Sequence, residues 1–287
     1  MTPGALTKVT PRELLLLWTH EEIRVVCRRP QDLENYPDLA MRIRGAFGRQ
    51  LARLGPPVAH RFDPFSRPRA FDVLFGAAPE RAGRPMALDA DVTGATVTVE
   101  LRLFGSAMFY AGQCREALLA ALAGGVSIRP EGRHHVTFEP LDCLGRRLCP
   151  ALPPETISGA SLTFVTPVAV RSGGALLSTP SALLYASVTR LRGLAPWIGV
   201  EISADWRALH ACCSGAEVVA DTLFAYRSRR FSQRQPDRAI PVLGLLGSCT
   251  LRGNLTPLAP FLALAAYTHI GSHAALGLGR LRPAVWP

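Results

Sequence analysis

The stretch Leu39–Leu54, LAMRIRGAFGRQLARL, sets the frame for the rest of the chain. Leu39, Ile43, Phe47 and Leu51 recur every fourth residue, which lines them along one side of a helix. Its other faces carry Arg42, Arg44, Arg49 and Arg53, and Gly55-Pro56-Pro57 ends it. Upstream, Glu22–Arg28 (EIRVVCR) alternates as a short strand. Downstream, Ala95–Phe104 (ATVTVELRLF) alternates with Val97, Val99, Leu101 and Leu103 on one face. Tyr110–Leu122 reads as a second helix closed by Gly124-Gly125, and His135–Leu141 as a last strand. Residues 60–90 are rich in Arg, Pro and Gly and read as a long basic excursion with one weaker strand inside it. Strand, helix, strand, strand, helix, strand is the ferredoxin-like order.

A segment with three prolines and a glycine, Cys149–Gly159, reads as a linker. The pattern then repeats. Ser161–Val170 is a strand, Ser181–Leu194 and Trp206–Cys213 are helices, and Val218–Arg230 with Leu243–Arg252 looks like a strand pair. Pro257–Tyr267 is an apolar helix running into a glycine-rich turn and a final strand. The expected fold is α+β, with two tandem ferredoxin-like (RRM-like, βαββαβ) domains at 1–150 and 156–287 and a C-terminal glycine-rich loop.

Hydrophobic residues make up 48% of the 287 positions and charged residues 19%, which excludes a disordered chain. The formal charge is +10, and all basic residues except Lys8 are arginines. From Asp221 to Pro287 there are eight arginines against two acids, Asp221 and Asp237. A surplus of this kind suits a polyanion, because binding phosphates releases their counterions. The apolar run Leu14–Trp18 is too short for a secretory signal, and no stretch is long enough to span a membrane, so a cytoplasmic protein is expected. Seven cysteines without C-x-x-C spacing read as buried thiols rather than disulfides or a zinc site. No metal or other cofactor is expected, since the acid pairs Glu21/Glu22 and Asp89/Asp91 lack companion ligands at metal spacing.

Two segments could carry chemistry. His269–Arg280 (HIGSHAALGLGR) offers Gly271, Gly277 and Gly279, whose backbone N–H groups can approach an anion closely, with Ser272, His273 and Arg280 as further donors. The same spacing also suits a tight structural turn. Arg227–Arg234 (RSRRFSQR) gathers Arg227, Arg229, Arg230, Ser232, Gln233 and Arg234 around Phe231. Donors interleaved with an aromatic favour nucleic acid, while a solvated hairpin edge is the plainer reading.

Arg44–Leu51 (RGAFGRQL), Arg229–Gln235 (RRFSQRQ) and Gly271–Arg280, in that order, resemble the CRISPR-associated RAMP-superfamily endoribonucleases that process precursor CRISPR RNA. Leu162–Val168 and Asp72–Phe75 resemble further family segments. The resemblance implies an antiviral-defence protein whose two ferredoxin-like domains hold a CRISPR repeat hairpin. It implies metal-independent cleavage at the hairpin's 3′ base by 2′-OH attack, a 2′,3′-cyclic phosphate product and retention of the mature crRNA. It also implies CRISPR effector subunits as further partners. On these residues, Arg44, the Arg227–Arg234 cluster and the glycine-rich loop are the expected RNA contacts. Arg42, Arg49, His60 and Tyr36 are the candidate catalytic residues. Many family members place a histidine in or near the first helix, whereas here none lies between His20 and His60. Tyr36 and His60 flank the helix as substitutes, and Arg42 and Arg49 suit phosphorane stabilisation rather than proton abstraction, because arginine stays charged. Such an arginine-based site is similar to the divergent processing nucleases of type IV systems. The alternative is a RAMP subunit that binds guide RNA without cutting it.

Overall fold

The computed structural model describes residues 6–31, 33, 36–54, 68–76, 83–128, 135–172, 175–232 and 235–287, with only the backbone described at 172, 230–232 and 235–239. The first unit runs β1 (His20–Arg28), α1 (Leu39–Arg53), β2 (Met86–Thr93), β3 (Thr96–Phe104), α2 (Ala111–Ala123) and β4 (Glu139–Leu148). Its sheet order is β2-β3-β1-β4, antiparallel at every pairing. Ile23 pairs with Leu101, Val25 with Val99 and Cys27 with Val97. These residues form one apolar core with Leu39, Ile43, Phe47 and Leu51 of α1 and with Cys114, Ala117, Leu118 and Ala121 of α2.

The opposite face of that sheet is charged. Glu22 sits opposite Arg102 and Arg146, and Glu100 opposite Asp89. Arg102 is 7% exposed and ion-pairs with Asp89 at 2.6 Å, Glu100 at 2.6 Å and Glu22 at 3.1 Å. Buried charges persist only when paired and hydrogen-bonded, and here three carboxylates share the guanidinium.

The second unit runs β5 (Gly159–Val168), α3 (Pro180–Leu194), α4 (Trp206–Ser214), β6 (Glu217–Asp221), β7 (Phe224–Ser232), β8 (Gln235–Arg252), α5 (Ala259–Thr268) and β9 (Leu281–Trp286). Its order, β6-β8-β5-β9, repeats the ferredoxin-like arrangement of the first unit. The 18-residue β8 outruns its neighbours, and its first half pairs with β7 as a long hairpin arm. Two tandem ferredoxin-like units are therefore the fold. No helix among the described residues is long and apolar enough to cross a membrane.

Three features depart from the sequence reading. Residues before His20 belong with the second unit, not the first: Thr7–Val9 pairs in parallel with Val200–Ile202. Leu14, Leu15 and Trp18 enter the second core, on a helix (Pro11–Leu17) started by a Thr10–Glu13 capping box. Inside the basic excursion, Ala70–Phe75 is a short helix and β2 is a full strand. The strand expected at His135–Leu141 instead runs from Glu139 to Leu148, exposed along most of its length at the sheet edge.

Candidate active site

The glycine-rich loop joins the two units. Gly277 holds φ 81°, and a Cβ there would lie 2.7 Å from Ala40 Cβ of α1 and 2.8 Å from the Leu88 carbonyl of β2. Gly279 holds φ 72° against the Ile270 carbonyl, so neither position tolerates a side chain. Their N–H groups donate to Ala274 O (3.1 Å) and Pro167 O (2.9 Å). Arg280 is held by Asp89 (3.3 Å) and Asp91 (2.6 Å). The sequence reading gave Gly277, Gly279 and Arg280 to an RNA ligand; in the structure Gly277 and Arg280 pack against the first unit, while Gly279 is enclosed by Ile270 and Pro167 of its own unit. A Cβ at Gly271 (φ 84°) would lie 2.5 Å from the Ala169 carbonyl oxygen, and the Ser272 N–H donates to that oxygen at 2.7 Å. The Ser272 side chain is exposed and His273 is half-buried.

Beside this loop, α1 meets the hairpin arm. Asp38 precedes the first turn of α1 but makes no side-chain cap to it. Its carboxylate, 1% exposed, instead accepts from Arg42 Nη2 at 3.0 Å and Nε at 3.4 Å, one turn along the helix. The Ser228 hydroxyl of β7 donates to the same carboxylate at 2.5 Å. Beneath these polar groups, Met41 of α1, Val242 of β8 and Leu278 of the loop close a small apolar cluster. Tyr226, two residues before Ser228 and so on the same face of β7, is half-buried. Burial first, then the Asp38 charge, raise its phenol above the ordinary value, against a hydrogen bond with Ser228 and the charge of Arg42. The phenol therefore stays protonated near neutral pH and can act as a proton donor. The Arg42 guanidinium lies 5.8 Å from the Tyr36 ring centre.

Of the expected catalytic residues, Tyr36 and Arg42 come together here. Arg49 lies on the same stripe of α1 but about 10 Å further along the axis. His60 lies outside the described residues. Arg44 sits 4.4 Å over the Phe75 ring, packed within the first unit. Arg227 and Arg229 are exposed, alternating with Tyr226 and Ser228 along the arm. The side chains of Arg230 and Ser232, and all of Gln233 and Arg234, lie outside the described residues. Sequence reasoning missed Asp38, Tyr226 and Ser228 as members of the cluster. The only available signal was local, since Ser228 lies within the arginine-rich segment.

Residues 162–281 match the family described as CRISPR-associated endoribonuclease Cas6. Among solved structures, Thermus thermophilus Cas6 aligns at TM-score 0.58 and 17% identity, covering 93% of this chain and 99% of that one. A Cas6 product complex gives 0.58 at 16% identity over the same shares. A RAMP protein binding different RNA substrates gives 0.51 at 8% identity, also over 93% and 99%. A search of curated proteins finds no match. The second unit carries the sequence pattern of the CRISPR-associated Cas6 endoribonucleases, and the whole chain has the fold of Cas6 and RAMP proteins, which bears out the resemblance read from the sequence.

Proposed function

We propose that this chain binds the hairpin of a CRISPR repeat RNA and cleaves it at its 3′ base, keeping the mature crRNA bound. The observation that carries the reading is the meeting of Tyr36, Asp38 and Arg42 from the first unit with Tyr226 and Ser228 from the second. The ribose 2′-oxygen attacks the adjacent phosphorus, the P–O5′ bond breaks, and a 2′,3′-cyclic phosphate and a 5′-hydroxyl remain. Arg42, fixed by Asp38, faces the charge that develops on the phosphorane. Tyr226 donates a proton to the departing 5′-oxygen. Tyr36 and His60, on either side of α1, are the candidates to align the 2′-hydroxyl and accept its proton. Arg49, Arg227 and Arg229 supply phosphate contacts around the cluster. Among the described residues no histidine joins the cluster, so alignment and charge carry most of the acceleration and turnover is slow.

The balance of charge in the cluster favours a second reading. Asp38 neutralises Arg42, which leaves less positive charge for a transition state and suits a subunit that only holds guide RNA. Labelled repeat RNA incubated with the protein in EDTA, beside the same RNA with one 2′-deoxy sugar at the cut site, separates the two. One cut abolished by the deoxy sugar supports the nuclease. Tight binding without cutting overturns it in favour of the guide-RNA subunit.

A further inference from the structure

Away from the Asp38 cluster, a cavity of about 790 Å³ opens where α3 passes the glycine-rich loop and the segment before β2. Its described lining includes Arg84, Arg171, Arg190 and His210, and among the described residues it holds no aspartate or glutamate. Arg190 is the unusual member. It is 8% exposed, and its Nε and Nη2 donate to the carbonyls of Thr268 and Met86, each at 3.1 Å. Among the described residues no carboxylate pairs with it. A buried cation held only by carbonyl dipoles keeps most of its desolvation penalty, and burial drags Arg190 down to about 9. The Arg102 cluster of the first unit shows the usual remedy, in which carboxylates surround the guanidinium. Around Arg190 no described carboxylate supplies the counter-charge, and Arg190 lines the cavity.

The rest of the wall suits a particular anion. Ala182, Tyr185, Thr189 and Gly193 form a stripe along α3 at helical spacing. Tyr185 meets the His210 ring edge-on at 5.4 Å and 71°, giving the wall two aromatic rings. Thr179, Ser181 and Ser272 add hydroxyls at the start of α3 and in the loop. The volume falls within the range of small-molecule sites, roughly 300–1,000 Å³.

We infer that this cavity binds a nucleoside monophosphate unit, its phosphate against Arg190 and its base against Tyr185 and His210. The unit is either an unpaired nucleotide flanking the repeat hairpin, which rests on the proposed function, or a free nucleotide, which does not.

Two arms of one experiment separate these sources. Uridine 5′-monophosphate is titrated into the full chain with thermal unfolding and NMR as readouts. In parallel, binding of a repeat hairpin with a single-stranded extension is compared with that of the blunt hairpin. Arg190→Met removes the charge. Thr189→Asp supplies a carboxylate from an exposed wall position and keeps the test open if the first variant fails to fold. A nucleotide-dependent shift lost in both variants supports the site with a free ligand. An affinity gain for the extended hairpin of about tenfold, lost in both variants while blunt-hairpin binding is unchanged, supports it with RNA as the source. The absence of both a nucleotide-dependent shift and an extension effect overturns the inference. If no hairpin binds at all, the proposed function fails and the uridine titration alone decides the pocket.

Discussion

His269 Nε2 of the second unit lies 2.9 Å from Asp89 Oδ1 of the first, and both side chains are buried. His269 reaches this contact from φ 58°, a backbone region that favours glycine. Burial alone would raise the Asp89 carboxyl. The charge and hydrogen bond of His269, then Arg102 and Arg280, more than reverse this and hold it well below the usual carboxylate range. A carboxyl depressed on folding stabilises the protein above its unfolded pKa, about 4, and loses that contribution as pH falls below it. Asp89→Asn should leave His269 without its carboxylate partner and take one anion from Arg102 and Arg280, at a cost of about 3–5 kcal/mol. Urea unfolding at neutral pH measures the loss, and a variant as stable as the parent removes Asp89 as the keystone of the seam.

His20 titrates in a different window. Neither ring nitrogen has a hydrogen-bond partner among the described residues, and the ring sits 5.0 Å from that of Tyr267 and 6.2 Å from that of Phe104. Burial first, then the charge of Arg102, lower it to about 4, against the opposing pull of Glu22. The unfolded chain therefore binds the extra proton between about pH 6.5 and 4, and stability falls as pH drops through that range. The expected loss is on the order of 3 kcal/mol. His20→Phe should flatten this part of the stability–pH curve; an unchanged slope assigns the acid sensitivity elsewhere.

Tyr226→Phe removes only the phenol oxygen. If the phenol protonates the leaving oxygen, cleavage should slow by about 10²–10⁴-fold with RNA affinity and melting temperature nearly unchanged. Equal cleavage rates in parent and variant take Tyr226 out of the chemistry.

Two glycines of α1 should behave oppositely on substitution by alanine. A Cβ at Gly48 would meet the Phe75 ring at 2.6 Å, whereas one at Gly45 would meet nothing within 4 Å. Gly48→Ala should destabilise by about 1–3 kcal/mol through overpacking. Gly45→Ala should stabilise by about 0.5–1 kcal/mol. Gly45 lies on the side of the helix carrying Arg42 and Arg49, so its alanine variant should also weaken RNA binding if a phosphate backbone passes close by. Unchanged binding removes that face from the RNA path.

The sequence showed most clearly what local spacing records. The alternation of Val97 to Leu103 and the fourfold stripe of α1 are periodic because one side of each is buried. Edge strand β4 lacks that asymmetry: Leu141 and Leu144 are 51% and 48% exposed, and the expected strand stopped at Leu141. Strand β2 was expected only as a weaker strand within the excursion, because Asp89 and Asp91 look like loop residues until the arginines they face are known. In β8, Pro236 and Pro241 broke the pattern ahead of Leu243, where the expected strand began, and the pairing with β7 sustains it there. The candidate site was legible only in halves. Asp38 and Ser228 lie 190 positions apart, and nothing near either residue encodes their meeting.

The pairing of Thr7–Val9 with Val200–Ile202 makes the first unit an insertion within the second. As the chain leaves the ribosome, its opening strand must wait unpaired while some 190 later residues are made. The inserted unit can meanwhile complete its own sheet from contiguous chain. Folding is thus nested, inner unit before outer, and the seam carrying Asp38 and Ser228 is assembled last.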